Sequence, residues 1–224
     1  VELYREMISR DAIEEDDLED FDYNDMRGSA RLAWQATEAL APFVEVELGR
    51  KNYLVTRPDK PQRDSRNRSA LAGVEIGFGE KLTGEVALRM EDRQFSGQPG
   101  GAFGFVSPVA SLTWAPADWL SLGVEYTRNI TDSSSEDYLV FDARELTLTS
   151  EISIGEKFGA EISARRLWQD RLVAGGSDLE TEYSGRLSFK PAEKAEYYVS
   201  ASHLRFDDLV DTADSYTNMT VFTG

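Results

Sequence analysis

The stretch that decides the fold is residues 112–129, LTWAPADWLSLGVEYTRN. After a short connection at residues 115–118, apolar and small or polar side chains alternate strictly. The apolar positions are Leu120, Leu122, Val124 and Tyr126, and the positions between them are Ser121, Gly123, Glu125 and Thr127. Alternation with a period of two predicts a strand with one apolar and one polar face. Two such runs around a short connection predict a β-hairpin.

The same hairpin recurs along the chain about every 40 residues, which predicts about twelve antiparallel strands. Short turns follow Trp34, Phe78, Trp114, Ile154 and Phe189. The strands that return from these turns lead into long polar loops. Residues 9–24 contain a dense acidic run and residues 57–68 contain two prolines, so both read as solvated loops.

Composition excludes several classes of protein. The chain has 224 residues, 24 Lys and Arg against 41 Asp and Glu, and a formal net charge of −17. This acidic balance argues against a nucleic-acid-binding face, which needs clustered cations. The absence of Cys and the single His203 exclude thiolate chemistry and multi-His metal sites. We therefore expect no metal, no cofactor and no nucleic-acid partner.

The mean hydropathy of −0.44 would suit a soluble protein, and no run reaches the roughly 20 apolar residues of a membrane helix. A soluble β-sandwich would show the same alternation. A sandwich, however, does not require every hairpin to be tight at one end and long at the other, whereas outer-membrane barrels do have short periplasmic turns and long extracellular loops. The asymmetry favours the barrel.

Aromatic residues gather at the two ends of the predicted strands, as in the interfacial girdles of membrane barrels. Those at the short-turn ends are Trp34, Phe78, Trp114, Trp119, Phe158, Phe189 and Tyr197. Those near the long loops are Tyr53, Trp168 and Phe206. The sequence thus predicts an all-β fold, a transmembrane antiparallel up-and-down β-barrel in the bacterial outer membrane, in contact with its lipid and lipopolysaccharide.

Four segments resemble one family of membrane proteins. They are PFVEVELGRKNY at 42–53, LTWAPADWLSLGVEYTRN at 112–129, YSGRLSFKPAEKAEYYVSASHLRFDD at 183–208 and YTNMTVFTG at 216–224. Together they resemble the β-barrel porin type 2 family of bacterial outer-membrane barrels, often found in the setting of exopolysaccharide export. The resemblance covers most of the chain from about Phe21 onward. We expect residues 1–224 to form a single barrel domain, which could lack N-terminal sequence and the last few C-terminal residues.

Charged residues share the polar parity of the predicted strands. Because a charge facing lipid costs a few kcal/mol near the midplane, we expect these side chains to point into the lumen. The predicted lumen-lining residues are Glu45, Glu85, Glu125, Glu161, Arg31, Glu75, Arg89, Glu151, Arg165, Glu182 and Arg186. The first four fall at similar distances after successive short turns and form a predicted carboxylate row. Mixed signs at similar heights predict an ion-paired lumen, either a narrow polar conduit or a closed plug.

Two functions from different classes follow. The first is export or secretion across the outer membrane, with polysaccharide as the cargo that the resemblance implies and with other envelope export proteins as partners. The second is a structural outer-membrane subunit or anchor that holds partner proteins without transport. An enzyme is not expected: Ser202 and His203 fall on opposite faces of one strand, so they do not form a catalytic pair.

Overall fold

The computed structural model describes residues 2–8, 23–53, 64–96, 102–132, 140–172, 175–192, 195–209 and 215–223. They form twelve β-strands: β1 Glu2–Ile8, β2 Tyr23–Ala33, β3 Leu40–Tyr53, β4 Ser65–Phe78, β5 Leu82–Phe95, β6 Ala102–Ala117, β7 Leu120–Asp132, β8 Val140–Ile154, β9 Phe158–Arg171, β10 Ser177–Ala192, β11 Ala195–Asp208 and β12 Tyr216–Thr223. The prediction of about twelve strands is confirmed.

Every strand pairs antiparallel with its neighbour in sequence, so the sheet order is β1 to β12 without a crossover. This is the predicted up-and-down topology. Within the described residues, no pairing joins β1 to β12. In the same part of the chain, no helix is long and apolar enough to span a membrane.

The two faces of the sheet differ as the alternation predicts. On one face, large apolar side chains are exposed, among them Leu48 at 64%, Leu88 at 60% and Ile162 at 57%. We call this the apolar face, and the opposite one, which carries Glu45 and Arg31, the polar face. So much exposed apolar surface would make a water-soluble protein associate. In a membrane barrel the same surface contacts lipid.

The two ends of the sheet also differ. At one end, here the short-turn end, consecutive strands are joined by a few residues, as at 79–81 and 155–157. Gly79 and Gly155 open these turns with φ of 60° and 62°, a left-handed conformation that favours glycine.

At the opposite end, the long-loop end, more residues separate consecutive strands: fourteen between Ile8 and Tyr23 and eleven between Tyr53 and Ser65. The loops predicted at 9–24 and 57–68 end earlier than expected, because β2 begins at Tyr23 and β4 begins at Ser65. Residues 9–22 and 57–63 of these predicted loops lie outside the described ranges. The predicted asymmetry is therefore present.

The central hairpin departs from the sequence prediction at its turn. The connection predicted at residues 115–118 lies later, at Asp118 and Trp119, because β6 continues to Ala117. The pairing of β6 with β7 is irregular between Trp114 and Ala117. Pro116 lies inside this interval and has no N–H to donate, so a bulge here is the expected way to keep both strands extended.

The same pair of strands separates towards the long-loop end. β6 pairs with β5 from Ala102 onward, and β7 pairs with β8 up to Asp132. Pairing between β6 and β7, however, ends at Ala110 and Tyr126. Above that point the two strands form a seam in the sheet. Pro108, two residues above the last pair, has no N–H and suits a strand edge.

Candidate functional site

An arginine on the polar face gathers three glutamates near the short-turn end. The Arg31 guanidinium lies 3.1 Å from Glu45, 2.6 Å from Glu75 and 2.9 Å from Glu85. It also covers the buried ring of Phe43, with Cζ 3.6 Å from the ring centroid. All four charged residues belong to the predicted lumen-lining set. We call this group the Arg31 cluster; it carries three negative charges and one positive charge.

The contacts of the Arg31 cluster also show that the sheet is curved. Arg31 is on β2 and Glu85 is on β5, three strands away. In a flat sheet, neighbouring strands about 4.8 Å apart would separate their backbones by roughly 14 Å. The 2.9 Å contact between the two side chains requires the sheet to curl towards its polar face. That curvature is what a barrel wall needs.

A second arginine, Arg165 on β9, also gathers three glutamates on the polar face. Arg165 lies 3.0 Å from Glu145 and 3.9 Å from Glu182, and it also pairs with Glu180. Arg165 and Glu182 were predicted to face the lumen, whereas Glu145 and Glu180 were not singled out. Their position on the strand is the signal that would have found them, since both share the polar parity. We call this group the Arg165 cluster.

The predicted carboxylate row does not act as one unit. Glu45 and Glu85 share Arg31, whereas Glu125 and Glu161 form no ion pair with any described residue. Both of these are exposed. Arg89 and Arg165, two of the predicted lumen-lining arginines, bind other groups. Arg89 donates to Asn129, and Arg165 binds its own cluster.

The remaining predicted residues lie apart from both clusters. Arg186 pairs with Glu196 at 3.1 Å and stacks on Tyr198, with Cζ 4.2 Å from the ring centroid. Glu151 is the register partner of Glu161 across β8 and β9. In the described part of the chain, Glu151 has no ion pair.

Towards the long-loop end, β7 contacts the polar face of β5. The Nη1 atom of Arg93 donates to the backbone carbonyl of Ile130 at 2.8 Å, and the Glu91 carboxylate accepts a hydrogen bond from the backbone of Ile130. Ile130 packs with Phe95 and Val140 in a buried apolar cluster. Alternation alone would place Ile130 on the apolar face, so the sequence did not reveal this contact.

The contact forms one wall of a polar cavity of about 460 Å³. Its walls come from the polar face of β2 to β5, and residues 129–131 of β7 complete it. Among the charged lining residues are Asp25, Arg27, Glu47, Arg89, Glu91 and Arg93. Both signs are present, and Glu47 forms no ion pair with a described residue. The cavity can therefore hold polar solutes, but β7 narrows the space along the polar face.

The predicted girdle residues fall into two groups. At the short-turn end, Trp34, Trp114 and Tyr197 are exposed at 51%, 51% and 62%. Also exposed at this end are Phe78, Trp119, Phe158 and Phe189. Phe158 stacks on Phe189 with ring centroids 4.8 Å apart.

At the long-loop end the aromatic placements differ. Trp168 follows the parity of the apolar face and lies under Arg166, whose Cζ is 5.0 Å from its ring centroid. Tyr53 and Phe206 instead follow the parity of the polar face, which corrects their assignment to a lipid-facing girdle. They were grouped by their closeness to loops, whereas the strand register decides the face.

Within the described ranges, no group of three or more His, Asp and Glu side chains is arranged to hold a metal ion.

A comparison with protein families gives the identity that this geometry suggests. The family described as "Putative beta-barrel porin 2" matches residues 11–218, which is most of the chain. The chain belongs to this family. It is an outer-membrane β-barrel protein, and its family is one of porins rather than of enzymes. The predicted resemblance, fold class and location are confirmed. No curated protein matches the sequence.

A solved structure supports the fold. The FrpB iron transporter from Neisseria meningitidis (F3-3 variant) aligns with a TM-score of 0.57 at 12% sequence identity. The alignment covers 84% of this chain and 36% of the transporter, so the chain spans about a third of the length of the structure it matches. At this identity the likeness concerns the fold alone.

Proposed function

We propose that this porin-family barrel exports a polar, mostly uncharged polymer, of the polysaccharide class, along its polar face. The observation that carries the proposal is the pairing of the charges on that face. Arg31 and Arg165 each bind three carboxylates, so both cations are neutralised by ion pairs and each cluster keeps a net formal charge of −2. That net charge would repel an acidic polymer. A neutral polymer can pass such a surface without strong attraction or repulsion.

Hydroxyl side chains on the polar face support the same cargo class. They follow the polar parity of β6 to β11 and include Ser111, Thr113, Thr127, Thr147, Thr149, Ser163, Ser184, Ser200 and Ser202. Ser163 and Ser184 already hydrogen-bond to each other at 2.7 Å. A hydroxyl both donates and accepts, so such a surface can exchange hydrogen bonds with successive sugar hydroxyl groups. The export setting itself comes from the family resemblance.

The alternative is a structural subunit or anchor without transport. The position of β7 favours this function, because Ile130 and its contacts with Glu91 and Arg93 narrow the space beside the polar face. Partners would then bind at the loops or the rim.

Liposome swelling distinguishes the two functions. Protein reconstituted into liposomes should admit neutral oligosaccharides such as maltotriose faster than protein-free liposomes do. Deleting residues 127–139 and replacing them with a short Gly-Ser linker removes the segment that narrows the polar face, so the rate should rise further. If neither protein admits the sugar, export is contradicted and the anchor function is favoured.

A further inference from the structure

Arginines begin where the apolar face of β4 ends. From the short-turn end upward, the outward side chains of β4 are Phe78, Ile76, Val74, Ala72 and Ala70, and these are followed by Arg68 and Arg66. From Phe78 to Arg68 the strand is about 34 Å long at about 3.4 Å per residue, and a tilt of roughly 40° reduces this to about 26 Å along the membrane normal. The apolar band of an outer-membrane barrel is about 25 Å tall. Arg68 and Arg66 therefore lie at the upper border of the lipid-facing band.

A third arginine joins them on the neighbouring strand. Arg50 on β3 is the register partner of Arg66, and Leu48 is the partner of Arg68. All three arginines are exposed. Arg50 donates to Asn52 at 2.8 Å, but none of the three forms an ion pair with a described residue. Like charges facing each other across a strand pair are unfavourable, so this group gains from an external anion.

The local charge contrasts with that of the whole chain. The formal net charge is −17, yet residues 50–68 contain seven Lys and Arg against two Asp. Most arginines elsewhere at the long-loop end are neutralised within the protein. Arg128 pairs with Asp142 at 2.6 Å, and Arg171 pairs with Asp178 at 2.6 Å. On β3 and β4 only Arg68 has a carboxylate as a register partner, Asp92 on β5, and the two side chains form no ion pair. Arg50 and Arg66 have no acidic register partner.

Outward arginines also occur on the other half of the sheet, two residues nearer the short-turn end than Arg68, which lies ten residues from Phe78. Arg166 lies eight residues after Phe158, and Arg205 lies eight residues after Tyr197. Thr181 is the register partner of both. A cavity of about 420 Å³ on the apolar face lies between them. Arg205 is partly neutralised by Asp207 at 2.9 Å, so the group on β3 and β4 is the stronger anion site.

We propose that Arg50, Arg66 and Arg68 bind the phosphate groups of an anionic membrane lipid whose acyl chains lie along the apolar face of β3 and β4. Guanidinium groups bind phosphate through paired, charge-assisted hydrogen bonds. The apolar strip directly below the arginines identifies the ligand as an amphiphile rather than free phosphate, because one molecule can satisfy both surfaces. The long-loop end is the extracellular side in outer-membrane barrels, so the lipid is a phosphorylated glycolipid of the outer leaflet.

The test is a titration of the purified barrel in neutral detergent with bisphosphorylated lipid A, with the same glycolipid lacking phosphate and with inorganic phosphate. The wild type should bind the phosphorylated lipid, and R66Q/R68Q should bind it about tenfold or more weakly. R66K/R68K keeps the charge and loses the paired geometry, so its affinity should fall between the two. The control K81Q/K157Q removes two positive charges at the short-turn end and should bind like the wild type.

Three results would overturn the proposal. Equal affinity of the wild type and R66Q/R68Q for the phosphorylated lipid would remove the arginines from the site. If K81Q/K157Q loses as much affinity for the phosphorylated lipid as R66Q/R68Q does, the effect comes from the overall charge of the protein and not from a specific site. Binding of inorganic phosphate or of the phosphate-free glycolipid as tight as that of lipid A would show that one half of the proposed ligand is not recognised. None of these results depends on sugar transport, so the site and the export proposal are tested separately.

Discussion

Arg93 donates a hydrogen bond from Nη1 to the backbone carbonyl of Ile130 at 2.8 Å, so a side chain of β5 occupies the edge of β7. In a continuous sheet that edge would pair with β6. Its backbone groups are polar and must find partners if they are buried. Arg93 donates and Glu91 accepts, and together they replace part of the missing strand pairing.

The first prediction tests the seam between β6 and β7. Val106 pairs with Met90 on β5, so M90C/V106C should form a disulfide efficiently, since paired strands hold Cα atoms within disulfide range. Continuing the register of Ala110 and Tyr126 would place Val106 opposite Ile130, but pairing has ended there. V106C/I130C should therefore cross-link poorly. The natural chain has no Cys, so no other thiol interferes. Equal cross-linking of the two pairs would show that the seam is closed.

The second prediction concerns the Arg31 cluster. R31Q would leave Glu45, Glu75 and Glu85 facing one another without a cation. The Arg31 side chain is 33% exposed, so the loss should be smaller than for a buried pair, about 2 kcal/mol of unfolding free energy. R186Q removes one pair whose arginine is 43% exposed and should lose about 0–1 kcal/mol. Urea unfolding in detergent micelles measures both. If R31Q and R186Q lose the same unfolding free energy, the Arg31 cluster contributes no more to stability than a single exposed ion pair does.

Much of this fold follows from alternation, because a period of two assigns each side chain to a face before any contact is known. Arg31 and Glu85 were placed on the same face in this way. Their 2.9 Å contact across three strands was not predictable, since it depends on the curvature and tilt of the sheet. Ile130 shows the opposite case. Ile130 continues the alternation of Val124 and Tyr126, which predicts an exposed position on the apolar face. Because β7 leaves β6 at the seam, Ile130 is instead buried against Phe95 of β5.

The third prediction separates the two halves of the predicted carboxylate row. E45Q/E85Q removes two of the three carboxylates that hold Arg31, so the unfolding free energy should fall by about 1–2 kcal/mol. E125Q/E161Q removes two exposed charges that have no ion pair among the described residues, so stability should change by less than about 0.5 kcal/mol. If ions pass along this face, E125Q/E161Q should also lower the preference for cations. Urea unfolding and the reversal potential in a KCl gradient measure these effects. A stability loss confined to E125Q/E161Q would contradict the assignment.

The fourth prediction concerns which side chains face lipid. Ile162 and Glu161 are neighbours on β9, with Ile162 on the apolar face and Glu161 on the polar face. In proteoliposomes a membrane-impermeant maleimide should label E161C if water reaches the polar face, and it should label I162C slowly. Val199 and Ser200 on β11 provide a second pair with the same expected order. Equal labelling of both neighbours on both strands would argue against a lipid-facing apolar surface.

The fifth prediction uses two glycines of one hairpin. Gly84 on β5 has a φ of 140°, and a Cβ added there would lie 2.0 Å from the backbone oxygen of Ser111 on β6. Neither the dihedral nor the backbone contact can relax cheaply, so G84A should lower the unfolding free energy by roughly 1–3 kcal/mol. Gly77 on β4 is the matched control, because an added Cβ would meet nothing within 4 Å. G77A should be neutral or slightly stabilising, since alanine restricts the unfolded chain more than glycine does. Thermal and urea unfolding of both variants in the same micelles give the comparison. If G84A is as stable as G77A, the close approach of β5 and β6 at Ser111 is not a constraint on this wall.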